Sequence, residues 1–153
     1  MSSPHGLKNA RLHHVGYLVS DLAAWSRRLA DAFGYSVETE PIEDPQQTAS
    51  VQFLRLPGDS VWLELIAPLG TPSKLDAALR RGEGLHHLCF QVENIEDAVR
   101  GLREHSMRTI APIVPAVAFG GRRITWLTNR SGALFELVEG GAGPLNLAQS
   151  EPR

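Results

Sequence analysis

Four side chains in this sequence have the types and the spacing to hold a divalent metal ion. His14 and His87 each close an LHH run, and Glu64 and Glu136 each stand between apolar residues in LEL and FEL. Neutral imidazole nitrogens and carboxylate oxygens together suit zinc, cobalt, nickel, manganese or iron(II), with geometry deciding among them. A single histidine on a strand is usually an ordinary core or surface residue. These four stand out because they recur.

Residues 12–21, LHHVGYLVSD, return as residues 85–94, LHHLCFQVEN, 73 positions on. WLELIAP (62–68) returns as LFELVEG (134–140), 72 positions on. Alternation along a strand puts His14 on one face with Leu12, Gly16 and Leu18, and His87 on one face with Leu85, Cys89 and Gln91. The other faces carry Val15, Tyr17 and Val19, or Leu88, Phe90 and Val92, and should pack on helices. His13 and His86 share that parity and read as structural. Leu63, Leu65, Phe135 and Leu137 should point to the same packed side, which turns Glu64 and Glu136 toward the side of His14 and His87. A carboxylate buried there alone would be costly, and a shared cation would relieve both glutamates.

The elements that must hold these residues follow from period and punctuation. Leu22, Trp25, Leu29 and Phe33 form a helical stripe, with Asp21 as N-cap and Gly34 as stop. Ile95, Val99 and Leu102 form the second stripe, capped by Asn94. Extended segments follow each helix: SVETE, SVQFLRL and VWLELIA, then RTIAPIV, RITWLTN and ALFELVE. Pro57-Gly58-Asp59 and Asn129–Gly132 mark hairpins. Ser73 to Arg81 reads as a short bridging helix, with Ser73 and Asp76 spaced as a capping box. The expectation is an α+β fold of two tandem β-α-β-β-β modules forming a curved mixed sheet around a metal cleft. The first module spans 11–70, a linker with the short helix 71–84, and the second module 85–139; 1–10 and 140–153 read as flexible tails.

Composition narrows the partners. The formal net charge is −2, which gives no bulk attraction to nucleic acid or anionic membrane. No apolar run approaches the roughly 18 residues that span a bilayer. One cysteine, Cys89, excludes an internal disulfide framework and fits a reducing compartment. The start lacks the apolar middle of a secretory signal, so a cytoplasmic setting is expected. Cys89 has no base partner in the sequence pattern and reads as a small packing residue. A homodimer is the default expectation, because exposed module edges commonly pair by symmetry.

With these motifs in view, the chain resembles the vicinal-oxygen-chelate superfamily over residues 11–139. That family includes glyoxalase I, extradiol dioxygenases, fosfomycin-resistance proteins, bleomycin-binding proteins and methylmalonyl-CoA epimerase. LHHVGYLVSDL, LELIAPLG, GLHHLCFQVENIEDAV and GGRRITWLTNRSGALFELVE are most similar to the epimerase branch. The resemblance implies metal ligands at His14, Glu64, His87 and Glu136, an acyl thioester substrate, and Glu136 as the base that takes the C2 proton. Glu64 occupies a position held by glutamine in some epimerases. Gln52 falls where some epimerases carry a second acid/base glutamate; a glutamine can orient substrate but cannot exchange a proton. In the loop AFGGRRI (118–124), Gly120 and Gly121 allow close backbone approach, and Arg122 and Arg123 could reach the phosphates of CoA. Three alternatives stand beside the epimerase. One is a glyoxalase I-type isomerase acting on a glutathione hemithioacetal. Another is an extradiol-type iron(II) dioxygenase using His14, His87 and Glu136, against which Glu64 argues because oxygen needs an open position. The third is a non-catalytic small-molecule-binding protein.

Overall fold

A computed structural model of the chain describes residues 7, 9–140 and 147. The expected terminal tails, 1–10 and 140–153, lie almost wholly outside the described residues. The chain divides into two compact units, one of residues 14–86 and one of residues 87–140 with 9–13.

The first unit runs through β1 (Arg11–Leu18), α1 (Leu22–Phe33), β2 (Ser36–Val37), β3 (Ile42–Asp44), β4 (Ala49–Arg55), β5 (Trp62–Pro68) and α2 (Asp76–Arg81). Its strands lie in the order β2–β4–β5–β1, with β3 beside β4. β1 and β5 are parallel and the other pairs antiparallel. The parallel pair needs a crossover, and α1 opens it. Asp21 accepts the backbone N–H of Ala24, and Gly34 closes the helix in the left-handed region at φ 77°, as expected from both residue types. Leu22, Trp25 and Leu29 pack on Val19, Leu54 and Leu65. Phe33, the last residue of the expected stripe, is 69% exposed, because it sits where the helix ends.

The second unit repeats the plan with β6 (Gly84–Val92), α3 (Ile95–Arg103), β7 (Arg108–Thr109), β8 (Val114–Pro115), β9 (Arg123–Thr128) and β10 (Leu134–Glu139). The order is β6–β10–β9–β7, with β8 beside β9. Val92, Leu127 and Leu137 hold the core positions of Val19, Leu54 and Leu65, packed against Ile95, Val99 and Leu102 of α3. The fold is therefore α+β with two β-α-β-β-β modules. In each, the strand after the helix breaks into two short pieces, because Pro41 and Pro112 withhold a ladder donor.

Two local expectations change. The bridging helix begins at Asp76, not Ser73. Asp76 accepts the Ser73 backbone N–H as a capping box requires, but the Ser73 hydroxyl donates to the Thr48 carbonyl at 2.7 Å. The linker is thus tied to the turn before β4. Glu83 ends this segment by accepting from the backbone and hydroxyl of Ser20 and from Trp25 Nε1. The Ser20 backbone bond chiefly holds its carboxyl below the usual range. No helix among the described residues is long and apolar enough to cross a membrane.

Arg123 is committed to the fold. It forks onto both oxygens of Glu96 at 2.6 and 3.0 Å and onto Glu139, whose Oε2 also accepts the Ile95 backbone N–H at the start of α3. Arg123 pulls the pKa of both carboxyls down. A lowered carboxyl pKa contributes stability that is present above the unfolded value of about 4.3 and is lost as pH falls through the folded value. Arg123→Ala should therefore melt a few degrees below the parent at pH 7, and the gap should narrow as pH falls below the unfolded value of about 4.3. Thermal unfolding followed by circular dichroism from pH 7 downward checks this.

Candidate functional site

The candidate ligands are built the same way in each unit. In the first, β5 pairs with β1 so that Glu64 lies opposite Gly16, two residues beyond His14. In the second, β10 pairs with β6 so that Glu136 lies opposite Cys89, two residues beyond His87. Paired residues share a face, so each glutamate lies on the same side of its sheet as its histidine. Leu65 and Leu137 go to the helix-side cores. His14 is 0% exposed, and Glu64, His87 and Glu136 are each 4% exposed.

His14 Nε2 and Glu64 Oε2 are 3.5 Å apart. Two ligands bound at zinc-like distances of about 2.0–2.2 Å in a tetrahedral arrangement have donor atoms about 3.4 Å apart. The observed pair fits two ligands of one cation, and its donor chemistry suits the same ions. His87 and Glu136 hold the same register positions in the second unit.

A feature absent from the sequence expectations accompanies each histidine. Phe53, opposite Glu64 on β4, meets the His14 ring at 82° with centroids 5.6 Å apart. Trp126, opposite Glu136 on β9, meets the His87 ring at 82° with centroids 4.7 Å apart. The two aromatics are 73 positions apart in SVQF and RITW, so the repeat carried the signal. His13 is buried against Phe119, and burial lowers the pKa of His86. Cys89 is fully buried.

Gln52 does not share the face of Glu64. It pairs with Leu65, accepts from Ser26 of α1 at 2.5 Å and donates to the Thr39 carbonyl at 3.0 Å. Its counterpart 73 positions on, Thr125, donates to the Ala111 carbonyl at 3.0 Å. Gln52, expected as a substrate-orienting residue, ties β4 to α1 and to the extended segment after it, and Thr125 makes the second of those ties in its own unit.

The glycine loop is closed by its own backbone. Gly120 and Gly121 both have positive φ, 62° and 85°, but their N–H groups donate to Val117 and Ala116 carbonyls within the loop. They close a tight turn, and the space where their side chains would stand is open. With Arg123 held by Glu96 and Glu139, Arg122 is the exposed arginine of this loop.

The comparisons agree with the fold. Residues 13–126 match the Glyoxalase/Bleomycin resistance protein/Dioxygenase superfamily. The ethylmalonyl-CoA/methylmalonyl-CoA epimerase of Cereibacter sphaeroides is 31% identical over 84% of this chain and 97% of its own length. The mitochondrial methylmalonyl-CoA epimerase of Mus musculus is 34% identical over 68% of this chain; the match spans 58% of the mouse protein. The structure of methylmalonyl-CoA epimerase from Mycobacterium tuberculosis superposes with a TM-score of 0.75 at 28% identity, covering 85% of this chain and 87% of that one.

The inward turn of Gln52 has a consequence for stability. Gln52→Leu strips a buried hydroxyl and a carbonyl of their partner, a loss of about 1–3 kcal/mol. Urea unfolding should show that loss as a lower midpoint with an unchanged slope.

Proposed function

Because the chain belongs to the Glyoxalase/Bleomycin resistance protein/Dioxygenase superfamily, we propose that it epimerises a 2-substituted malonyl-CoA of the methylmalonyl-CoA kind. The observation that carries this is the pair of buried His–Glu sets at equivalent register positions. The names of the relatives supply the substrate class.

In this reading His14, Glu64, His87 and Glu136 together hold one divalent ion. When bound, such an ion supplies Lewis-acid polarisation of the thioester carbonyl, easing the charge that develops as the C2 proton leaves. Glu136 takes that proton on a carboxylate oxygen. A second group must return a proton on the opposite face. With Gln52 turned into the helix layer, Glu64 is the carboxylate left at the position equivalent to Glu136. A carboxylate there can carry a proton, which an amide cannot. Arg122 is the side chain proposed to meet the phosphates of CoA, by charge-assisted hydrogen bonds.

The proposed setting is the cytoplasm, consistent with a single buried cysteine. A homodimer stays part of the reading. The edge strands β2 and β7 are two residues long, and short edges resist pairing. A dimer would therefore use another surface.

Deuterium wash-in at C2 of methylmalonyl-CoA in heavy water, with cobalt supplied, tests the reaction. Absence of exchange above background refutes it. For the epimer whose C2 proton faces it, Glu136→Gln should lower exchange by at least about 100-fold, the lower end of a general base's contribution. Glu64→Gln keeps an oxygen donor, and should still exchange the proton of one epimer while no longer inverting it. Full inversion by Glu64→Gln would assign the second proton to another group.

A further inference from the structure

We infer that Phe53 and Trp126 are positioning residues that fix the ring orientations of His14 and His87 for metal binding. The inference rests on the metal-centre reading above and concerns residues that reading does not use.

Backbone and χ1 do not settle which way an imidazole turns. The terminal torsion of histidine is broad and roughly two-fold, so ring rotation is set by what surrounds the ring. Metal-binding histidines usually have it set by a partner beyond the ligand. Here each candidate histidine meets an aromatic ring at the same angle, 82°, in both units. A ring meeting another edge-on resists rotation, because turning either would drive its face or its edge into the neighbour. The aromatics are also placed by the ladder that places the glutamates: Phe53 is the antiparallel partner of Glu64, and Trp126 of Glu136. One residue thus borders both candidate ligands of its unit. Core packing alone would not require an aromatic at both of these positions. The neighbouring core sites hold leucine in both units, Leu54 and Leu127.

The two supports differ in a way that decides the experiment. Phe53 is 0% exposed and is itself crossed by Trp62 at 87°, so truncating it would disturb a packed stack. Trp126 is half-buried and can be changed with less risk to folding.

The full chain and the variants W126F, W126L and H87A are titrated with cobalt, and affinity is read from visible absorption. Imidazole signals are recorded by 15N NMR on the metal-free proteins. W126F should bind cobalt like the parent, because it keeps the ring contact. W126L should bind about 10- to 100-fold more weakly, the range seen when an outer support of a ligand is lost. Its His87 ring signals should move toward those of free histidine before any metal is added. Should circular dichroism show W126L unfolded, W126M takes its place. Parent-like cobalt affinity in W126L, with H87A impaired, overturns the positioning role and leaves the metal centre standing. If the parent binds no cobalt, or H87A binds as tightly as the parent, the metal reading fails. The ring signals of metal-free W126L then decide alone whether Trp126 orients His87, and unshifted signals overturn the inference.

Discussion

Taking the Glu64 carboxylate out of water is costly unless neighbouring charge or hydrogen bonds offset it, and this chain keeps it 4% exposed and 3.5 Å from His14 Nε2. That placement is inseparable from the core. Leu63 and Leu65 flank Glu64 and both pack toward α1. Slipping β5 by one residue against β1 would send the carboxylate into the helix layer and a leucine out of it, because side chains alternate. The apolar pattern that selects the register therefore also aims the glutamate. Site and core are two faces of one strand pairing, and neither can shift without the other.

Duplication extends that constraint. Val92, Leu127 and Leu137 reproduce the core that places Glu64, and so place Glu136 opposite Cys89. The buried polar ties are reproduced in function although not in residue type. Gln52 and Thr125 each donate to a main-chain carbonyl, of Thr39 and Ala111, in the segment that follows the helix. A long amide and a short hydroxyl do the same work, so identity at such a position is less informative than the direction the side chain faces. The anchors of the two helices differ more. Glu83 gathers Ser20 and Trp25 near the start of α1, whereas Glu139 and Arg123 gather Ile95 and Glu96 at the start of α3.

What the sequence made legible was local or repeated. Asp21, Asn94 and Gly34 announce helix ends through chemistry confined to one turn. Strand parity sorts His14 from His13 without knowledge of partners. Readings failed where the answer lay across the sheet. Nothing near Arg123 in sequence reveals that Glu139 and Glu96, 16 and 27 positions away, engage it. Gln52 has the parity of Leu54, so its helix-side direction is legible from alternation, whereas its partners Ser26 and Thr39 are not. Phe53 and Trp126 were available too, since the offset that links the histidines also links them. Their contact with the imidazoles needed the β4–β5 and β9–β10 registers.

A duplicated scaffold suits a reaction that treats two faces of one carbon alike. Epimerisation removes a proton from one side of C2 and returns it to the other, and the reverse reaction exchanges these roles. Proton carriers at equivalent positions on two equivalent modules would meet that demand without a separate evolutionary solution for each face. Glu64 and Glu136 have the chemistry and the equivalent placement; Gln52 and Thr125, turned inward, have neither a titratable group nor the direction. The remainder of a CoA thioester is not symmetric. In the proposed reading it is met by parts of the chain that the repeat does not share, such as the loop carrying Arg122, closed on itself by the glycine turn after Phe119. On this proposal the units agree where the chemistry at C2 requires it and diverge where the substrate does.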